Sequence, residues 1–157
     1  MFLDLTDNSN HSVYSYLVGG ISPRPIAWVS TLSEKGVANI APYSFFTVAS
    51  CNPPVLSVTQ VNPRDNANKD TLNNLLATKE CVVNIVSHSL VDKMNQSCAN
   101  YPRDVSEFDA ANIQRTPSQL VSVPSAAASK VRYECKLREV ITISDEPSGG
   151  QMMLLDV

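Results

Sequence analysis

Short segments of apolar and β-branched residues recur along this chain, separated at close intervals by turn-forming residues. Residues 26–31 are the first such segment, residues 33–36 predict a turn, and residues 37–40 are the returning strand, which together predict a β-hairpin. The same pattern predicts further strands at residues 45–48, 55–60, 81–86, 130–137 and 152–157, with 140–144 either continuing or pairing with 130–137. Closely spaced strands with few helices favour a mainly β fold, specifically a largely antiparallel barrel.

Three stretches carry helical patterns. Residues 11–18 precede two glycines, which suit the end of a helix. Asp70 or Thr71 is a good N-cap for a helix with one apolar face, formed by Leu72, Leu75 and Leu76. Residues 89–98 also carry apolar side chains at helical spacing. We therefore expect two or three short helices beside six or seven strands.

Two regions break these patterns. Residues 41–44 interrupt the alternation between the hairpin and the next strand. Residues 101–129 begin with an acidic stretch and continue with weak periodicity and two prolines. The second region is predicted to be a long surface excursion.

The formal net charge of −3 limits the partners of the chain. Nucleic acids and anionic membranes are bound through clustered Lys and Arg, and the twelve basic residues here are scattered. Residues 1–7 have neither the basic start nor the apolar core of a signal peptide, and no apolar run approaches the ~20 residues of a membrane span. We expect one cytoplasmic domain over residues 1–157.

The cysteines and histidines point away from metal and hydrolase sites. The four cysteines are widely separated, with no CxxC and no histidine at ligand spacing, so reduced structural thiols are expected. With only two histidines, His11 and His88, a Ser-His-Asp hydrolase is also disfavoured.

Five blocks of sequence together resemble a known family. Two are long: residues 24–31, RPIAWVST, and residues 36–46, GVANIAPYSFF. The others are NPP at 52–54, KDT at 69–71 and CVVN at 81–84. In this order and at about this spacing they resemble the flavin reductase-like, FMN-binding split-barrel family, over roughly residues 10–157 and more loosely within 101–129. The resemblance implies a split β-barrel of Greek-key type.

The resemblance also implies a flavin site on these blocks. Hydroxyls and free N–H groups where strands end suit the polar edge or phosphate of a flavin, and a helix that begins beside a cation suits an anion. Lys69 and Thr71 would contact the FMN phosphate. Small residues and exposed backbone around Asn39 would let the isoalloxazine ring lie close, where an amide can bond its pyrimidine edge. The expected cofactor-binding residues are Arg24, Ser30, Thr31, Asn39, Ala41, Pro42, Ser44, Phe45, Thr59, Lys69 and Thr71.

Several of these residues also have ordinary structural interpretations. Ser30, Thr31 and Thr59 could be solvent-facing strand residues, because threonine is enriched in strands. Residues 69–71 alone could be a capped helix start. Arg24 could face the phosphate or a carboxylate within a dimer.

Aromatic and histidine side chains near the blocks have other expected roles. Trp28 and the pair at 45–46 fit a core and a dimer interface better than a stacking surface for flavin. His88 fits a surface or capping position better than one beside a nicotinamide.

The resemblance implies hydride transfer from NADH or NADPH to FMN, with electrons passed to a free flavin or a partner oxygenase. A flavin carries this chemistry itself, so no catalytic acid or base is expected, and the chain has no GxGxxG. An FMN electron-transfer protein without nicotinamide activity and a non-catalytic binding module are the alternatives. A homodimer that shares the site is expected.

The end of the sequence adds one expectation. Related proteins continue further, whereas this chain stops at residues 154–157 within an apparent strand. If the protein ends there, an open sheet edge is expected, and an exposed edge invites pairing with another chain. Either a dimer covers that edge or the chain is truncated.

Overall fold

The computed structural model describes residues 2, 4, 5, 10–63 and 69–157. The strands within these residues are β1 (Ala27–Leu32), β2 (Ala38–Tyr43), β3 (Phe46–Cys51), β4 (Pro54–Val61), β5 (Glu80–Ile85), β6 (Arg115–Thr116), β7 (Ser125–Ala126), β8 (Arg132–Thr142) and β9 (Gly150–Asp156). The helices are α1 (Asn10–Gly20), α2 (Asp70–Thr78), α3 (Val91–Gln96) and α4 (Glu107–Ala110), and a 3-10 turn spans His88–Leu90. The predicted mainly β composition with short helices is confirmed.

Seven of the strands form one sheet in the order β2-β1-β5-β8-β9-β4-β3, and β6 pairs with β7 separately. Every neighbouring pair in the large sheet is antiparallel, as predicted. The predicted first hairpin is confirmed: Leu32 lies opposite Ala38, and Ala27 lies opposite Tyr43.

Strand β2 runs further than the sequence predicted. The expected interruption at residues 41–44 is wrong, because β2 continues through Pro42, which lies opposite Trp28, to Tyr43. Since β2 is an edge strand, a proline without an N–H group can be accommodated there. Asn39, Ala41 and Tyr43 consequently alternate along one continuous strand.

The C-terminal strands differ from the expectation of an open edge. Residues 140–144 continue the preceding strand as far as Thr142, and the register of β8 against β9 shifts between Leu137 and Glu139. Strand β9 pairs with β8 on one side and β4 on the other. The expected open edge at the last strand is therefore wrong, and the edges of the sheet are β2 and β3.

One apolar core lies on the concave side of this sheet. Leu56 lies opposite Leu155 and Val58 lies opposite Met153, with all four side chains buried. Buried residues from β1, β2, β5, β8 and α2 complete the cluster: Ala27, Val29, Tyr43, Leu72, Leu75, Cys81, Val83 and Cys135. Because strands from both ends of the sheet share this cluster, the sheet curls around it.

Helix α2 closes this core, with two differences from prediction. Lys69 is the N-cap residue and makes no side-chain cap hydrogen bond, so the predicted capping role of Asp70 or Thr71 is wrong: both lie inside the first turn. Leu72 and Leu75 are buried as predicted, but Leu76 is 43% exposed. The buried face of this nine-residue helix is narrow, so it includes Leu72 and Leu75 but not Leu76.

Residues 101–129 cover a second core on the opposite face of the hairpin. Trp28 and Ile40 are fully buried there, against Phe108, Ala111, Ile113 and Ala126. Phe108 belongs to α4 and Ala126 to β7, while Ala111 and Ile113 lie in the segment between α4 and β6. The prediction of a surface excursion is wrong, because this segment seals one side of β1 and β2.

The remaining expectations have mixed outcomes. A helix occupies the predicted region before Gly19, whereas the region 89–98 divides into the 3-10 turn and α3. No helix in the described part of the chain is both long enough and apolar enough to cross a membrane. Residues 1, 3, 6 and 7 of the N-terminal segment predicted not to be a signal peptide lie outside the described residues.

Candidate functional site

A cavity of about 530 Å³ opens between β2, the N-terminus of α2 and the residues after α3. Ligand pockets usually measure roughly 300–1,000 Å³, so this volume suits an organic cofactor. Its described lining comprises Asn39, Ala41, Pro42, Tyr43, Pro63, Lys69, Asp70, Thr71, Ser97, Cys98, Ala99, Asn100, Tyr101 and Glu107.

The start of α2 gives one side of the cavity the character of an anion site. The first hydrogen bond of the helix joins the Asn73 N–H to the Lys69 carbonyl, so the N–H groups of residues 70–72 have no acceptor within the helix. These groups carry the positive end of the helix dipole. The exposed Lys69 ammonium lies 5.7 Å from the centroid of the Tyr43 ring and adds a full positive charge.

The neighbouring carboxylate of Asp70 does not cancel this charge. Its Oδ1 atom lies 3.5 Å from Nε of Arg103, whose side chain is 66% exposed. Asp70 is thus paired with an arginine, and the Lys69 ammonium and the α2 N-terminus are the features on this side of the cavity that favour an anionic ligand.

The β2 wall continues into a buried polar network. Asn39 Nδ2 donates to Glu107 Oε1 at 2.7 Å, and the Ile40 N–H donates to Glu107 Oε2 at 3.1 Å. The Thr71 hydroxyl donates to Asn39 Oδ1 at 3.1 Å, while the Thr31 hydroxyl donates to the same atom at 3.4 Å. This network ties β1, β2, α2 and α4 together behind the cavity wall.

Burial raises the pKa of the Glu107 carboxyl above its ordinary value, and the Asp70 carboxylate raises it further. The N–H groups of Asn39 and Ile40 that donate to it act in the opposite direction. Glu107 is thus a carboxyl group with little solvent around it and two fixed donors.

The Tyr43 hydroxyl, on the same wall, is buried and has no hydrogen-bond partner in the described structure. Burial raises the pKa of this hydroxyl above the ordinary value, and the neighbouring Thr71 side chain acts in the opposite direction. No hydrogen bond of normal geometry joins the two. A buried donor without a partner is costly, so this atom suits a ligand that accepts a hydrogen bond.

The structure brings five of the predicted site residues to this cavity: Asn39, Ala41, Pro42, Lys69 and Thr71. A sixth, Thr31, lies behind the wall, where it accepts a hydrogen bond from Asn74 at 3.0 Å. Both Thr31 and Ser30 are fully buried. The alternative that these two residues face solvent is therefore wrong.

The other predicted residues lie elsewhere. Ser30 donates to the Pro124 carbonyl at 2.7 Å, within the second core. Arg24 donates to the Ile21 carbonyl at 2.9 Å and to Ser44 Oγ at 3.3 Å. Thr59 is half-buried in the middle of β4, opposite Met152. Ser30, Arg24, Ser44 and Thr59 are not among the described residues that line the 530 Å³ cavity.

Phe45 lines a separate cavity of about 330 Å³ beside α1 and the turn at residues 144–149. Its ring stacks on Tyr14, with the ring centroids 6.2 Å apart. Phe46 packs against the first core, and Trp28 lies in the second, as predicted for core aromatics. His88 is exposed, in agreement with a surface histidine.

Sequence reasoning missed Tyr43, Glu107 and the segment 97–101. The period-two spacing of Tyr43 with Asn39 would have placed it on the same wall, had β2 been extended to residue 43. Glu107 has no local sequence feature that separates it from the acidic residues around it. Ser97 is held by a long-range contact, because its Oγ accepts a 2.9 Å hydrogen bond from Trp28 Nε1.

Comparison with known proteins agrees with this geometry. Residues 19–147 match the model of the flavin reductase like domain. A curated protein of Aquifex aeolicus is 41% identical over 139 residues, which make up 88% of this chain and 71% of that protein. The chain spans 59% to 71% of the length of five curated relatives that it matches.

Two solved structures share the fold closely. The crystal structure of nitrilotriacetate monooxygenase component B from Bacillus cereus has a TM-score of 0.94 and 31% identity, over all of this chain and 78% of that one. The 2-nitrobenzoate 2-nitroreductase of Pseudomonas fluorescens has a TM-score of 0.88 and 28% identity, over all of this chain and 74% of that one.

Proposed function

Because this chain belongs to the flavin reductase-like family and has its split-barrel fold, we propose that it binds FMN in the 530 Å³ cavity and acts as an NAD(P)H-dependent flavin oxidoreductase. One observation carries the proposal. The N-terminus of α2 with Lys69 and the polar edge of β2 around Asn39 face the same cavity, at a volume that suits a nucleotide-sized ligand.

The residues present fit FMN at both ends. Lys69 and the N–H groups of residues 70–72, which have no acceptor within the helix, would hold the phosphate, with Thr71 beside them. Asn39, Ala41 and Pro42 would lie along the ring, where small side chains permit close approach. The orphaned Tyr43 hydroxyl supports the presence of a ligand with acceptor atoms at this wall.

The protein's part in the reaction would be binding and orientation. The bound flavin supplies the redox chemistry, accepting hydride from NADH or NADPH and passing electrons to an acceptor. Glu107 is committed to two protein donors, so it is not offered as a catalytic acid or base. A partner oxygenase is one proposed acceptor, supported by the description of the Bacillus cereus protein as a monooxygenase component.

Some of the predicted site residues that lie away from the cavity fit a site shared between two copies of this chain. Strand β3 is an open edge with Val48 59% exposed, and α1 presents Leu17 at 51% exposure near Phe45. An exposed edge and a neighbouring apolar surface favour pairing with another chain. We expect a cytoplasmic homodimer in which Arg24, Ser44 and Phe45 lie at or near the interface; Ser30 and Thr59 remain predicted contacts.

Flavin titration tests this function. We expect FMN absorbance and fluorescence to change saturably when protein is added, and bound FMN to bleach when NADH or NADPH is added without oxygen. Binding without bleaching would replace the reductase with the alternative FMN electron-transfer protein. No binding at all would contradict the proposal and favour a non-catalytic module.

A further inference from the structure

Glu107 holds the side chain of Asn39 at the cavity wall. Its Oε1 atom accepts from Asn39 Nδ2 at 2.7 Å, and its Oε2 atom accepts from the Ile40 N–H at 3.1 Å. The first distance is short for a nitrogen donor, as expected when the acceptor is charged. Glu107 is only 7% exposed, and these two hydrogen bonds together with its burial fix the position and orientation of its carboxylate.

The chemistry of these groups determines which of them donate and which accept each hydrogen bond in the network. A carboxylate accepts hydrogen bonds and does not donate, so the amide nitrogen of Asn39 must face Glu107. Asn39 Oδ1 then faces α2 and β1, where the hydroxyls of Thr71 and Thr31 donate to it. Thr31 is held in turn because it accepts from Asn74 Nδ2.

With the hydrogen bonds arranged in this way, one N–H of the Asn39 side chain is available to a ligand. An amide nitrogen carries two protons. One is used by Glu107, and no described protein acceptor takes the other. Asn39 lines the cavity, and its oxygen is already occupied by two hydroxyls. Toward a ligand, Asn39 is therefore a donor and not an acceptor.

We propose that Glu107 is a positioning residue that turns the Asn39 amide so that its free N–H donates to a carbonyl oxygen of the flavin ring. This inference rests on the proposed FMN site. Glu107 is assigned to act through Asn39, because its two oxygens hold the Asn39 and Ile40 donors and its side chain is only 7% exposed. Its negative charge would also repel the phosphate.

A double-mutant cycle tests this coupling. The variants are Glu107→Gln, Asn39→Ala and their combination, with Glu139→Gln on the exposed part of β8 as the matched carboxyl-to-amide control. We expect each single variant at the site to weaken FMN binding roughly tenfold, the cost of losing about one hydrogen bond. The double variant should bind no more weakly than Asn39→Ala alone, and Glu139→Gln should match the parent protein.

Additive losses in the double variant would overturn the inference, as would unchanged FMN binding by Glu107→Gln. In either case the parent protein still binds FMN, and the proposed function stands. If the parent protein does not bind FMN, the proposed function itself fails. The two failures are thus separated by one titration of the parent protein.

NMR of the parent protein keeps the test independent of variant folding. Protein labelled with nitrogen-15 and carbon-13 should show two distinct Asn39 side-chain protons, assigned by through-bond correlation to the Asn39 backbone. On addition of FMN, the proton that does not face Glu107 should shift more than the other. If FMN binds and neither proton shifts, Asn39 does not donate to the ring and the inference is wrong.

Discussion

Replacing Lys69 with alanine is expected to weaken FMN binding by between about tenfold and a hundredfold while leaving riboflavin binding nearly unchanged. Riboflavin lacks the phosphate, so it does not benefit from the ammonium group at the α2 N-terminus. The N–H groups of residues 70–72 remain in the variant, and some preference for FMN should persist. Parallel fluorescence titrations with the two flavins measure the difference directly.

The matched control is Lys35→Ala, which removes an exposed lysine from the turn between β1 and β2. It should leave both affinities as they are in the parent protein, because surface charges far from the ligand are screened. Equal losses for FMN and riboflavin in Lys69→Ala would show that Lys69 supports the cavity and not the phosphate. The proposed phosphate position would then be wrong.

Replacing Phe108 with alanine is expected to lower the free energy of unfolding by about 3–5 kcal/mol. The ring is 1% exposed and packs with Trp28 and Ile40 in the second core, with the Arg115 guanidinium 5.3 Å from its centroid. Removing it leaves a cavity that the surrounding strands can fill only partly. Chemical denaturation followed by tryptophan fluorescence measures the loss, because the one tryptophan lies in the same cluster.

Leu120→Ala is the matched control in the same segment, since Leu120 is 83% exposed. Its free energy of unfolding should stay within about 0.5 kcal/mol of the parent value. If Phe108→Ala were as mild as Leu120→Ala, residues 101–129 would not seal the second core. The original interpretation of this region as a surface excursion would then regain support.

Local patterns were sufficient for much of the sheet. The hairpin formed by β1 and β2 follows from two short apolar runs and a turn containing Gly36, whose φ of +80° suits glycine. The strands β4 and β5 follow from β-branched runs of strand length. These features depend on neighbouring residues, so a single sequence reveals them.

Features that depend on distant contacts were harder to predict. Phe108 is separated from Trp28 by 80 positions of chain, and nothing in the weak periodicity of residues 101–129 indicates that the two rings share a core. Similarly, the first residues of α2 have good capping side chains, yet Thr71 donates instead to Asn39 on β2. Tertiary hydrogen bonding there replaced the local cap.

The candidate site was predicted in part for the same reason. Asn39, Lys69 and Thr71 belong to sequence blocks and meet at one cavity. Glu107 reaches that cavity only because α4 packs on β2, and its role depends on a bond to a residue 68 positions away. A lone glutamate in an acidic stretch gives no indication of such a contact.

A crystal structure of this protein with FMN tests the central claim most directly. We expect the phosphate to lie within hydrogen-bond distance of Lys69 Nζ and the N–H groups of residues 70–72, and the ring to lie beside Asn39, Ala41 and Pro42. FMN bound instead in the cavity beside Phe45 and α1, with the α2 N-terminus free, would contradict the account.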